Sequence, residues 1–291
     1  MNAFTIKDIE NLSGIKAHTI RIWEQRYSFL NPQRTETNIR YYSNHELQTV
    51  LNIALLNKYG YKISHIDRMS KAEITEKVLT LTQAEAQQER IVNDLLHAMV
   101  EVEMDSFEQI LDNYIGTRGI EKAILQIIFP FLERIGILWL TNHIKPAQEH
   151  LVSNIVRQKL VMGIESLPVR QGNKSAILFL PEGEHHEMGL MYLHYLLKKK
   201  GVRVWYLGAN CPLSDMTFLA QLKKPDFLYL HLTSVAANFN LEKYLNLVHQ
   251  KLPEVPTIVS GVLTLGYKKK LPASVTLKQS LAEVMAFVSE L

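Results

Sequence analysis

AILFLPEGEHHEMGLMYLHYLLKKKGVRVWYL, residues 176–207, sets the fold of the last part of the chain. Its apolar run Ala176–Leu180 is followed by a polar turn, an amphipathic stretch His186–Lys199 and a second apolar run Val202–Leu207. Runs this short read as buried strands, and the segment between them is long enough for a crossover helix. The alternation continues outward. Apolar runs recur at Phe227–Leu232, Thr257–Ser260 and, more weakly, Val275–Leu277, with helical stretches at Leu213–Leu222, Leu241–Lys251 and Leu281–Leu291. Strands separated by helices of this length predict a doubly wound parallel sheet, whose ligands sit beyond the carboxyl ends of its strands. The turn at residues 181–187 lies at such an end.

Upstream, Ser166–Lys174 is polar and contains Pro and Gly, so it marks the entry to this domain, placed at residues 172–291. Residues 76–165 read as almost wholly helical, with Ile91, Leu95, Leu96 and Met99, then Ile124, Ile127, Ile128, Phe131 and Leu132, at three- and four-residue spacing. Breaks are expected at Gly116–Gly119 and Thr141–Pro146. The pattern predicts a four-helix bundle. Residues 1–75 form a third unit of short helices around an irregular middle. The whole is multidomain, α followed by α/β.

Composition narrows the class. The net charge is +3, so a polyanionic partner requires locally clustered cations. The single cysteine, Cys211, excludes an internal disulfide framework and a thiolate zinc site of its own, which fits a reducing compartment. No uncharged apolar stretch of about eighteen residues is present, and the start MNAFTIKDIE has no basic-then-apolar leader. The expected location is cytoplasmic, without membrane association.

FTIKDIENLSGIKAHTIRIWEQRY, residues 4–27, has the layout of a helix-turn-helix: one helix from about Ile6 to Leu12, a turn at Ser13-Gly14, and a second from about Ala17 to Arg26. Ile6, Ile9, Leu12, Ile15, Ile20 and Trp23 supply its small core. Lys16, His18, Thr19 and Arg21 occupy the remaining face, types that reach base edges and phosphates when a helix enters the major groove. Downstream, Arg34, Asn38, Arg40, Tyr41 and Tyr42 interleave cations and aromatics as a wing along the backbone would.

The run TIRIWEQRY followed by NIRYYS resembles the signature of the MerR family over roughly the first seventy residues. That resemblance implies a winged helix-turn-helix with Thr19, Arg21, Arg26, Tyr27, Arg40 and Tyr41 near double-stranded DNA. It also implies a dyad-symmetric operator bound by a homodimer or homotetramer. The cysteines of the family's metal sensors are missing from the corresponding region, so this is not a thiol metal sensor.

In the turn, Glu184, His185, His186 and Glu187 stand at a strand end. A neutral imidazole there can ligate a metal while a carboxylate takes its second ring proton; a polar helix cap is the other reading. Glu184-x-His186-x-x-Gly189, then Ser234-Val235-Ala236 and Ser260-Gly261, resemble the motifs of the cobalamin-binding domain of methionine synthase and of base-off corrinoid proteins, which share the flavodoxin-like sheet. Glu replaces the family's Asp, Ala its Leu, and Ser its first Gly. The resemblance implies that His186 is the lower axial ligand to cobalt, with Glu184 bonded to it. Ser234, Ser260 and Gly261 would line the slot for the nucleotide tail.

Trp139, followed after nine residues by Glu149-His150, is similar to the signature of the CarH and LitR light-dependent repressors. In that family the bundle caps adenosylcobalamin, and the three residues surround its adenosyl group. The implied function is a non-enzymatic repressor: light cleaves the cobalt–carbon bond and a DNA-bound dark oligomer falls apart. Leu140 stands where the best-known members place a second cobalt-capping histidine, and His143 is the nearby substitute. The expectation is therefore light-driven disassembly without a stable bis-histidine photoproduct. Three other readings follow from the same residues: a corrinoid methyl carrier, a cofactor-free repressor controlled by an antagonist protein, and a sensor of another cobalamin that reports vitamin supply.

Overall fold

The computed structural model describes residues 4–140, 144–168, 172–235 and 239–291, with the backbone alone at 139 and 140. The chain divides into two compact units, Met1–Val156 and Arg157–Leu291.

The first unit opens with α1 (Ile6–Ser13) and α2 (Ala17–Arg26), then a hairpin of β1 (Gln33–Arg34) and β2 (Arg40–Tyr41). Thr5 and Asp8 form a reciprocal capping box that starts α1, and Gly14, left-handed at φ 73°, ends it. Ile9, Leu12, Ile20 and Trp23 are buried as expected, joined by Phe4, Leu30 and Tyr42. Ile6 and Ile15 are only half-buried. The chain continues through α3 (Asn44–Lys58), α4 (Ile63–Ile66) and α5 (Lys71–Leu79).

The bundle comprises α6 (Ala84–Glu101), α7 (Met104–Arg118), a long helix divided into α8 (Ile120–Ala123), a π turn (Ile124–Ile128) and α9 (Phe129–Leu140), and α10 (Pro146–Glu165). The break at Gly119 is where the sequence places it, but α7 runs through Gly116. A further break at Val102, left-handed at φ 61°, was not expected. The π turn sits just before Pro130, whose missing N–H and ring clash with the preceding turn; widening the helix there accommodates both.

The second unit carries a five-stranded parallel sheet: β3 (Ser175–Pro181), β4 (Arg203–Cys211), β5 (Phe227–His231), β6 (Thr257–Ser260) and β7 (Val275–Lys278), in the order β4-β3-β5-β6-β7. Between them run α11 (Met188–Lys199), α12 (Leu213–Lys223), α13 (Leu241–Lys251) and a 3-10 turn at Val262–Thr264, and α14 (Leu281–Ser289) closes the chain. One sheet face buries Ile177, Phe179, Leu228, Leu230 and Val259 against Met216, Ala220, Leu245 and Val248. On the other, Phe227 and Tyr229 meet Phe287 of α14. The strand order reverses between β3 and β5, which creates the switch-point crevice where an open α/β sheet holds its ligand.

Candidate functional site

Helix α11 starts at Met188, two residues later than its periodicity suggests, so His186 lies in the turn after β3 and not on the helix. Asn210, left-handed at φ 54° at the end of β4, clamps that turn. Its Oδ1 accepts from the Gly183 N–H at 2.9 Å, and its own N–H donates to the Glu184 carbonyl at 3.0 Å.

Glu184 is completely buried. Its Oε1 accepts from the His186 backbone N–H at 2.8 Å and lies 2.7 Å from His186 Nδ1, while Oε2 accepts from the Ser234 N–H at 2.6 Å. The carboxylate therefore spans the switch point, linking the loops after β3 and β5. Burial alone would raise its pKa, but the His186 side chain and the two backbone donors outweigh it and hold the carboxyl below its ordinary range. An ionised carboxylate only accepts, so Nδ1 carries the proton and Nε2 of a neutral ring bears the lone pair. The His186 side chain is 63% exposed. This pair offers one oriented imidazole, a donor set that suits a metal arriving with its other ligands already in place.

Beside it, Glu187 accepts from Arg157 at 2.6 Å on one oxygen and from the Tyr206 hydroxyl at 3.0 Å on the other. Tyr206 stacks on His194, with ring centroids 5.2 Å apart. Burial, assisted by Lys198, pushes the His194 pKa down to about 4.

Of the expected tail-slot residues, Ser234 contributes its backbone N–H, and its side chain is exposed. Ser260 is buried with its Oγ 2.9 Å from His231 Nδ1. Gly261 has φ 102° and lies so close to Leu232 that a Cβ would fall 2.3 Å from its carbonyl oxygen. His231, unremarked in the sequence, ends β5 against Gly189. Ala236 lies outside the described residues.

In the bundle, Glu149 and His150 pair at 2.9 Å in the first turn of α10, with His150 70% exposed. Gln148 beside them is buried and donates to the Val100 carbonyl at 3.0 Å, which ties α10 to α6. The side chains of Trp139 and Leu140, and the whole of His143, lie outside the described residues.

In the N-terminal region, Lys16, His18, Arg21 and Arg26 are exposed, and Thr19 and Tyr27 half-buried. The wing is a true hairpin, not an irregular loop. Arg34 donates to Asn38 Oδ1 at 2.8 Å across its turn, where Asn38 is left-handed at φ 63°. Tyr41, half-buried, donates to Gln33. Two members of the run are turned to structural work. Arg40 Nε pairs with Glu24 at 2.8 Å, and fully buried Tyr42 donates to the same carboxylate, so Glu24 fastens the wing to α2.

A winged helix-turn-helix, a helical bundle and a doubly wound sheet with a carboxylate-backed histidine at its switch point together define a DNA-binding regulator that carries a ligand-binding type of domain. Comparisons with known proteins agree. Residues 4–73 match the model of the MerR HTH family regulatory proteins, and residues 91–162 and 175–275 match two B12 binding domain models. The chain is 30% identical over 280 residues to the HTH-type transcriptional repressor CarA of Myxococcus xanthus, covering 96% of this chain and 92% of the relative. It is 28% identical over 266 residues to CarH of the same organism, covering 89% and 88%. A monomethylamine corrinoid protein of Methanosarcina barkeri shares the fold, with a TM-score of 0.56 at 14% identity over 70% of this chain and 100% of that one. The chain belongs to the CarA/CarH family of MerR-type transcriptional repressors with B12-binding domains. Among the described residues, no helix is long and apolar enough to cross a membrane.

Proposed function

We propose that this protein is a transcriptional repressor whose assembly and operator binding are controlled by adenosylcobalamin and light. Residues 1–75 read DNA, residues 76–165 cap the cofactor and residues 172–291 hold it from below. The observation that carries the cofactor half is the Glu184–His186 pair: a buried carboxylate fixes the imidazole tautomer, leaving Nε2 as the atom that would meet cobalt. Gly189, Ser260 and Gly261 would border the nucleotide tail, with Ser234 holding Glu184 in place. Trp139, Glu149 and His150 would border the upper, adenosyl side. When bound, adenosylcobalamin supplies a cobalt–carbon bond that visible light breaks.

The DNA half rests on α2 and the hairpin. Lys16, His18, Thr19, Arg21, Arg26 and Tyr27 would face the major groove and its flanking phosphates, and Arg34, Asn38, Arg40 and Tyr41 the backbone beside it. A dimer or tetramer engages a dyad-symmetric operator through several recognition helices at once, so a modest loss of assembly releases DNA. Any effector acts only through its different affinity for the two assembly states. The test is fluorescence anisotropy on the chain's own promoter DNA. Binding should tighten with adenosylcobalamin in the dark and weaken after green illumination. Equal binding in all conditions would leave a cofactor-independent repressor and direct the search to a protein antagonist.

A further inference from the structure

At the switch point, the His231 ring is packed between Gly189 and Ser260. Gly189, the second residue of α11, leaves room between the helix start and the end of β5, and the His231 ring occupies it. A Cβ on Gly189 would lie 2.3 Å from both Cδ2 and Nε2 of that ring. The other edge of the imidazole is held by Ser260 Oγ, 2.9 Å from Nδ1. Burial also lowers the pKa of His231, with Glu184 opposing, so a neutral ring is the favoured form.

This placement bears on what the site can accept. In a cobalamin, the nucleotide that ends in a benzimidazole base is tethered to the lower face of the corrin, the face His186 would take. Once the imidazole replaces that base, the tail must lie on the protein side, in the crevice beyond the strand ends. That space already holds a flat nitrogen heterocycle bonded to Ser260.

We propose that His231 is a gate to the tail crevice: it occupies the place of the base in the free protein and must swing out before a tailed corrinoid seats. The gate rests on the corrinoid reading of His186. It makes His231 a specificity-determining residue, because its displacement weakens binding of corrinoids with a nucleotide tail and leaves tailless ones unaffected. Ser260 Oγ, released from Nδ1, becomes the hydroxyl that meets the incoming base. No side chain at Gly189 is compatible with the His231 ring in this position.

The test titrates the full chain, in the dark, with cobalamin and with cobinamide, the same corrin lacking the nucleotide and base, and follows the corrin absorption. His231→Ser should tighten cobalamin about tenfold, equivalent to about 1.4 kcal/mol, while cobinamide affinity stays within about twofold. In the wild-type protein, deuterium exchange at the His231 ring C–H should accelerate on adding cobalamin and not on adding cobinamide, which needs no variant to fold. Equal changes for both ligands in His231→Ser, or a ring exchange rate indifferent to the tail, would overturn the gate while leaving the cofactor reading intact. Failure of wild type and variant to retain either corrinoid would remove the cofactor reading and the gate with it.

Discussion

Replacing Glu184 with alanine isolates what the buried carboxylate contributes to the fold. The change orphans the Ser234 N–H, which donates at 2.6 Å, and the His186 N–H at 2.8 Å, and frees the imidazole to rotate. A fully buried donor left without a partner costs about 1–3 kcal/mol, and these two are part-buried. Some relief comes from water entering beside the exposed His186 ring, so the expected loss is about 2–4 kcal/mol in the second unit. Glu184→Gln keeps the volume but turns an amide N–H toward one of the donors, and should cost less, about 1–2 kcal/mol. Because the units need not unfold together, the readout is amide hydrogen exchange in β3 and β5 and not a single global midpoint. The acid dependence follows from the lowered pKa. The carboxylate's stabilisation is complete above its unfolded value of 4.5 and is lost as pH falls through the lower folded value. The gap between wild type and Glu184→Ala should therefore narrow on acidification. A loss below about 0.5 kcal/mol at neutral pH, within the usual range of surface substitutions, would refute the claim that this carboxylate ties the two loops together.

His194, held neutral down to about pH 4 against an ordinary 6.5, should make the second unit less stable as pH drops between those values, by up to about 3 kcal/mol; urea titrations at pH 7.5 and 5 should show the effect, and His194→Phe should remove it. Gly261→Ala should cost about 3 kcal/mol or more, because φ 102° is strained for a side-chain-bearing residue and the clash is with Leu232 backbone, which cannot rotate away; soluble yield and thermal melting check this. Arg21→Ala should weaken operator binding by about 1–3 kcal/mol and leave the fold unchanged. Arg40→Ala should also loosen the hairpin, since it leaves the nearly buried Glu24 without its cation and with Tyr42 alone as donor; binding and melting measured on both variants separate the roles.

Much of the fold was legible because each of its elements announces itself locally. The strands β3, β5 and β6 fall on the apolar runs quoted from the sequence, and α2 matches its expected bounds, since period and capping act within a few residues. Val102 hides its break because no Gly or Pro marks it; only the left-handed backbone reveals it. Likewise, the late start of α11 depends on Asn210, contributed by the next strand. The Glu184–His186 pair was readable because its partners are two residues apart. His231 was not, because its meaning arises only when the sheet brings it beneath Gly189, far away in sequence. Ser234 was expected from its spacing to line the tail slot, and its backbone N–H also donates to Glu184, a contact no spacing announces. Spacing cannot tell which of a residue's groups is used.

The measurement closest to the central claim is the dark absorption spectrum of full-length protein saturated with adenosylcobalamin, compared between wild type and His186→Ala. Wild type should retain a corrin whose lower ligand is an imidazole, and the variant should lose that signature and hold the corrin more weakly. A spectrum unchanged by the substitution, or no retained corrin in the wild-type protein, would contradict it.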